Sequence, residues 1–124
     1  MTSTWFHIAA LAIAFLLVFA SGYRMSRIGK PYPTGIFTAH KLASLVVLAF
    51  LVLSVRSVNG GSYPTVLEWT VLTLAVFAML ATMSTGGFVS APGRSSQGLA
   101  GRLHRVTPYL AVLLAATSLV IWWD

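Results

Sequence analysis

The chain has no cysteine among its 124 residues. That excludes disulfides, thiolate metal ligation and thiol redox chemistry, and leaves the redox compartment open. Acid is nearly missing too: Glu68 and Asp124 are the two carboxylate side chains. No acidic residue falls in the middle of an apolar run, where ion- or proton-coupled transport usually needs one. Charge of either sign is sparse, at 8% of residues against roughly 25% in soluble domains.

What fills the chain is apolar side chain, 57% of the residues. Four runs stand out, about 5–22, 35–55, 64–83 and 102–123. A helix rises 1.5 Å per residue, so crossing a bilayer core takes about 20 residues. Each run is close to that length, and the connections between them are short. The expected fold is therefore all-α, a single integral membrane domain built as an up-and-down bundle of four transmembrane helices.

A net charge of +6 in a soluble protein would point to nucleic acid. Here its distribution is a topology signal, and no nucleic-acid partner is expected. Arg24, Arg27, Lys30, Lys41, Arg94, Arg102 and Arg105 lie in or beside the first and third connections, while Arg56 lies on the other side with both acids. By the positive-inside rule the two basic connections are cytoplasmic and both termini lie outside a cell (inner) membrane. Trp5, Trp122 and Trp123 then belong to an outer aromatic belt. The first run lacks a basic leader and reads as a retained helix rather than a signal peptide.

Local signals set the expected ends. Pro31, Pro33 and Gly35 break the chain between helices 1 and 2, with Thr34 as a cap; NGGSYP is an outer turn; Gly86 and Gly87 close helix 3. Thr107-Pro108 is a possible helix start, but a helix from 108 would span only about 24 Å. The fourth helix is therefore expected to begin near Arg102 and to carry Pro108 inside it, leaving the carbonyl of His104 without its usual amide partner.

The chain also repeats. A shift of 64 residues carries Gly22 onto Gly86, His40 onto His104, Lys41 onto Arg105 and Ser54 onto Ser118; a shift of 65 carries Gly22-Tyr23 onto Gly87-Phe88. A duplicated helical hairpin of constant orientation accounts for this.

FTAHKLAS (37–44) and LHRVTP (103–108) each place an imidazole and a base at the mouth of an apolar run. Helices 2 and 4 are diagonal in an up-and-down bundle, and diagonal side chains converge on its axis. Two imidazoles, apolar walls and nearby cations suit an iron porphyrin, with His40 and His104 as axial ligands and Lys41, Arg102 and Arg105 meeting its propionates. Either histidine taken alone reads first as an interfacial residue, the glycines as helix-packing positions, and His7, with no partner at its depth, as interfacial; it is the matched depth of the pair that points to a cofactor.

With these residues the chain resembles the four-helix b-type cytochrome core, as in cytochrome b and the cytochrome b561-like membrane haem proteins. The resemblance implies haem ligation by His40 and His104, with Gly22 and Gly86 or Gly87 beside the porphyrin. Ser54 and Ser118 stand where that family often carries a second pair of histidines, which implies one haem near the cytoplasmic face. The implied function is electron transfer, alone or as the haem-bearing subunit of a larger redox complex. The partners would be the lipid bilayer, other membrane subunits or a second copy, and a membrane quinone. Iron with both axial positions filled offers no site to substrate, so catalysis by this chain alone is not expected. Two other classes fit the same residues: a chlorophyll-binding subunit using one imidazole for magnesium, and a cofactor-free accessory subunit.

Overall fold

The computed structural model describes residues 2–58, 63–95 and 97–122. All regular structure within them is helical: α1 (Thr2–Ile28), α2 (Thr34–Val58), α3 (Val66–Ser90) and α4 (Leu99–Ile121). Each is long and apolar enough to cross a membrane, which makes this a multi-pass membrane protein. The chain divides into two compact units, residues 1–58 and 59–124. Each is a helical hairpin, α1 against α2 and α3 against α4.

Every helix differs from its expected bounds, and glycines account for the late ends of α1 and α3. Gly22, Gly86 and Gly87 lie inside helices, because a glycine costs a helix only about 1 kcal/mol relative to alanine and does not stop it. α1 runs on through Arg24 and Arg27 to Ile28. It ends at Gly29, whose φ of 76° is the left-handed conformation that closes helices; its amide donates to the Met25 carbonyl at 3.0 Å.

At the start of α2 the Phe37 amide donates to the Pro33 carbonyl at 3.0 Å. Pro33 therefore occupies the cap and Thr34 is the first helical residue. Thr65 caps α3, accepting from the Glu68 amide at 3.3 Å while the Glu68 carboxylate accepts from the Thr65 amide. After α3, Ala91-Pro92-Gly93-Arg94 turns with the Arg94 amide donating to the Ala91 carbonyl at 3.3 Å and Gly93 at φ 72°. Proline second and a left-handed glycine third make the type II turn. α4 begins at Leu99 and carries Pro108 inside it, as expected.

Burial follows the repeat of 64 and not that of 65. Leu11 and Ala75, Met25 and Val89, Val47 and Ala111, Leu51 and Ala115, Ser54 and Ser118, and Val55 and Leu119 are all buried, each pair 64 apart in the chain. These positions form the seam of each hairpin. Most of the remaining large apolar side chains, such as Leu16, Leu17, Val46, Phe77 and Leu113, are exposed on the helix surfaces. That distribution suits a chain whose surroundings are hydrocarbon. Trp5 is exposed and Trp122 buried, so of these two expected belt residues only Trp5 presents its ring outward. Residues 59–62, where most of the expected NGGSYP turn falls, Trp123, Asp124 and the Arg56 side chain lie outside the described residues.

Candidate functional site

Each hairpin holds one imidazole in its seam near the connecting loop, half-buried, and the two are held alike. In the first hairpin, His40 of α2 lies against Gly22 of α1. A Cβ at residue 22 would stand 3.1 Å from His40 Cε1. In the second, His104 of α4 lies against Gly86 of α3, where a Cβ would come within 2.6 Å of Cε1 and 3.1 Å of Nδ1. Glycine at 22 and 86 is thus the space the imidazole occupies. Gly87 has open space around its Cβ direction, so of the pair only Gly86 touches the ring.

The residue before each glycine carries a hydroxyl that sequence reasoning missed. Ser21 Oγ lies 2.9 Å from His40 Nδ1 and donates its own proton to the Val18 carbonyl at 2.9 Å. With that proton committed, the hydroxyl oxygen accepts, and Nδ1 is the donor. In the second hairpin His104 Nδ1 lies 2.9 Å from the Thr82 carbonyl, which can only accept. Thr85 Oγ1 stands at 3.4 Å from the same nitrogen and is itself bonded back to the Ala81 carbonyl at 2.7 Å. In the neutral form His104 therefore carries its proton on Nδ1, and the same tautomer of His40 is the one that satisfies Ser21 once the hydroxyl proton goes to Val18. The repeat, extended by one residue from Gly22 and Gly86 to Ser21 and Thr85, is the signal that would have marked these hydroxyls.

The two hairpins treat the backbone at the histidine differently. Ser44 Oγ donates to the His40 carbonyl at 2.8 Å. The matching position in α4 is Pro108, whose missing N–H leaves the His104 carbonyl without the usual helical donor.

The cations expected near the site, Lys41, Arg102 and Arg105, are all exposed. Lys41 Nζ sits 4.1 Å from the centre of the Phe37 ring, which in turn stacks on Tyr32 with centroids 6.0 Å apart. Arg94 in the second loop sits 4.6 Å over Phe88. Such contacts contribute about 0.5–1 kcal/mol at exposed sites, enough to bias a side chain and too little to hold it from an anion. Glu68, at the start of α3, serves the capping box described above. His7 is not isolated: its ring stacks on Phe50 of α2 at 5.8 Å. Ser54 and Ser118 lie in the seams at 1% and 0% exposure, with Ser118 Oγ donating to the Leu114 carbonyl at 2.9 Å.

Among the described residues no group of three or more His, Cys, Asp or Glu side chains is gathered in a way that holds a metal ion. The chemistry on offer is that of single imidazoles, each oriented by its own hairpin. No family model matches this chain, and no solved structure matches it.

Proposed function

We propose that the chain is a membrane protein resembling the b-type cytochromes, holding one haem b through His40 and His104 and serving electron transfer or a larger redox complex. The observation that carries this reading is the matched placement of each Nδ1, 2.9 Å from an oxygen on the partner helix of its own hairpin. A histidine that ligates a metal almost always donates its other ring N–H to a carboxylate, a carbonyl or water, which fixes the ring and raises the basicity of the ligating nitrogen. Each of the two imidazoles has an oxygen in that place within its own hairpin, the Ser21 hydroxyl for His40 and the Thr82 carbonyl for His104, which leaves Nε2 as the ligating nitrogen.

The donor set fits the group. His40 and His104 would hold the iron of a b-type haem through neutral imidazoles, and the chain supplies no thiolate to compete. When bound, the haem supplies one-electron redox chemistry. The protein's own part is to hold two ring orientations, to surround them with apolar side chains and to offer Lys41, Arg102 and Arg105 to carboxylates. The seven bases at the loop ends of the hairpins support a cell (inner) membrane location with those loops cytoplasmic and the termini outside. A membrane quinone or another subunit's cofactor is the redox partner this arrangement calls for.

The test is the colour and stoichiometry of the purified protein. The expected result is one haem b per chain with a low-spin reduced spectrum, lost in His40→Ala and in His104→Ala while both variants still insert. Wild-type spectra in either variant would overturn the axial assignment. A magnesium tetrapyrrole in the solvent extract, or a colourless protein that co-purifies with a partner, would replace haem by one of the two other classes.

A further inference from the structure

We propose that Ser21 is a positioning residue whose hydroxyl selects which ring nitrogen His40 presents, whereas Thr85, its match in the second hairpin, leaves that selection to a backbone carbonyl. The inference depends on the haem reading only for what the presented lone pair is used for. Gly22 and Gly86 make room for the imidazoles, but a glycine has no polar side-chain atom with which to choose between the two tautomers or between the two faces of a flipped ring. Ser21, the residue before Gly22, does. Ser21 Oγ is turned into an acceptor because its proton is spent on the Val18 carbonyl at 2.9 Å, and it meets His40 Nδ1 at 2.9 Å. Thr85 Oγ1 is back-bonded at 2.7 Å to Ala81 and stands beside His104 Nδ1 at 3.4 Å. Back-bonding of this kind is common for Ser and Thr inside helices. Here it determines what the hydroxyl can do to its neighbour.

The stabilisation involved is small. Interhelical polar contacts in membranes average about 0.6 kcal/mol, so their removal is not expected to unfold a hairpin. Their effect is orientation. The two units also differ in a way that makes the inference discriminating: His104 has a backbone acceptor, the Thr82 carbonyl at 2.9 Å, which no side-chain substitution removes.

The experiment reads tautomers in the cofactor-free full-length protein, labelled with 15N-histidine in detergent micelles, with the three histidines assigned by single substitution. Two-bond 15N–1H correlation patterns distinguish Nδ1–H from Nε2–H rings. His40 and His104 should both be Nδ1–H in the wild type. Ser21→Ala should move His40 toward the Nε2–H form and leave His104 alone, with Ser21→Thr restoring it. Thr85→Ala should leave the His104 tautomer in place, because the Thr82 carbonyl remains. A wild-type His40 in the Nε2–H form, or a Ser21→Ala protein whose His40 pattern matches wild type, would overturn the positioning role. These tautomers in a protein that never binds haem would support it while removing the function proposed above.

Discussion

The two hairpins share one plan and differ in the size of the side chains that fill it. α1 and α2 meet through Leu11, Val47, Leu51 and Val55; at the matching positions α3 and α4 meet through Ala75, Ala111, Ala115 and Leu119. Alanine lets backbones approach, and α3 and α4 are the more closely packed pair. The consequence shows at the imidazoles. The space a Cβ would need is short by little at Gly22 (3.1 Å) and by much at Gly86 (2.6 Å). The glycine requirement is therefore not a property of histidine in a hairpin as such. It grows as the seam around the ring narrows.

The strongest way to break this comparison is to exchange the fillers. Leu51, with 0% exposure, should cost about 2–5 kcal/mol when cut to alanine, the range for buried leucine. Ala115→Leu, at an equally closed position, should cost about 1–3 kcal/mol by overpacking. Unfolding titrations in mixed micelles measure both. An Ala115→Leu protein as stable as wild type would mean that the second seam is looser than its alanines imply.

Next come the glycines themselves. Gly86→Ala should cost about 1–3 kcal/mol and displace His104, since the new methyl meets ring atoms that must move. Gly22→Ala requires a shift of only a few tenths of an ångström and should cost less than about 1 kcal/mol. Equal losses in the two variants, read by stability and by the His40 and His104 ring signals, would dissolve the distinction between the hairpins.

The smallest effects are at the helix starts. Thr65 closes a capping box on α3, whereas Gly98 at the start of α4 makes no side-chain cap bond. Thr65→Ala should cost about 1 kcal/mol, and Gly98→Ser should gain a few tenths. The same titrations order them; a larger loss at Thr65 would assign that residue a contact beyond its cap.

Much of this was legible in the sequence because the determinants are linear. Four apolar runs of bilayer length gave four helices, and the repeat linked the histidines to the glycines before any contact was known. The helix ends were less legible. Gly86 and Gly87 looked like terminators, since a glycine that admits a neighbouring ring and one that ends a helix are the same letter. The capping box T-V-L-E at 65–68 was readable as the start of α3, yet the expected run began at residue 64, two residues before Val66. The acceptor role of Ser21 was not readable, because it follows from where a hydroxyl proton goes, and that depends on helix geometry at Val18. The Thr82 carbonyl is beyond any side-chain pattern, since every residue carries one.

The partners that orient each imidazole are near it along the chain. Ser21 precedes His40 by 19 residues, and Thr82 precedes His104 by 22. Contacts this local form fast, because little chain entropy is lost in closing them. Chains also fold from the N-terminus as they are made, at about 5–20 residues per second. The first hairpin can therefore set its ring while the second is still being synthesised. Biogenesis then becomes a sequence of two similar local closures, and a defect such as Gly86→Ala strikes the later one alone, leaving an inserted half whose His40 is already in order.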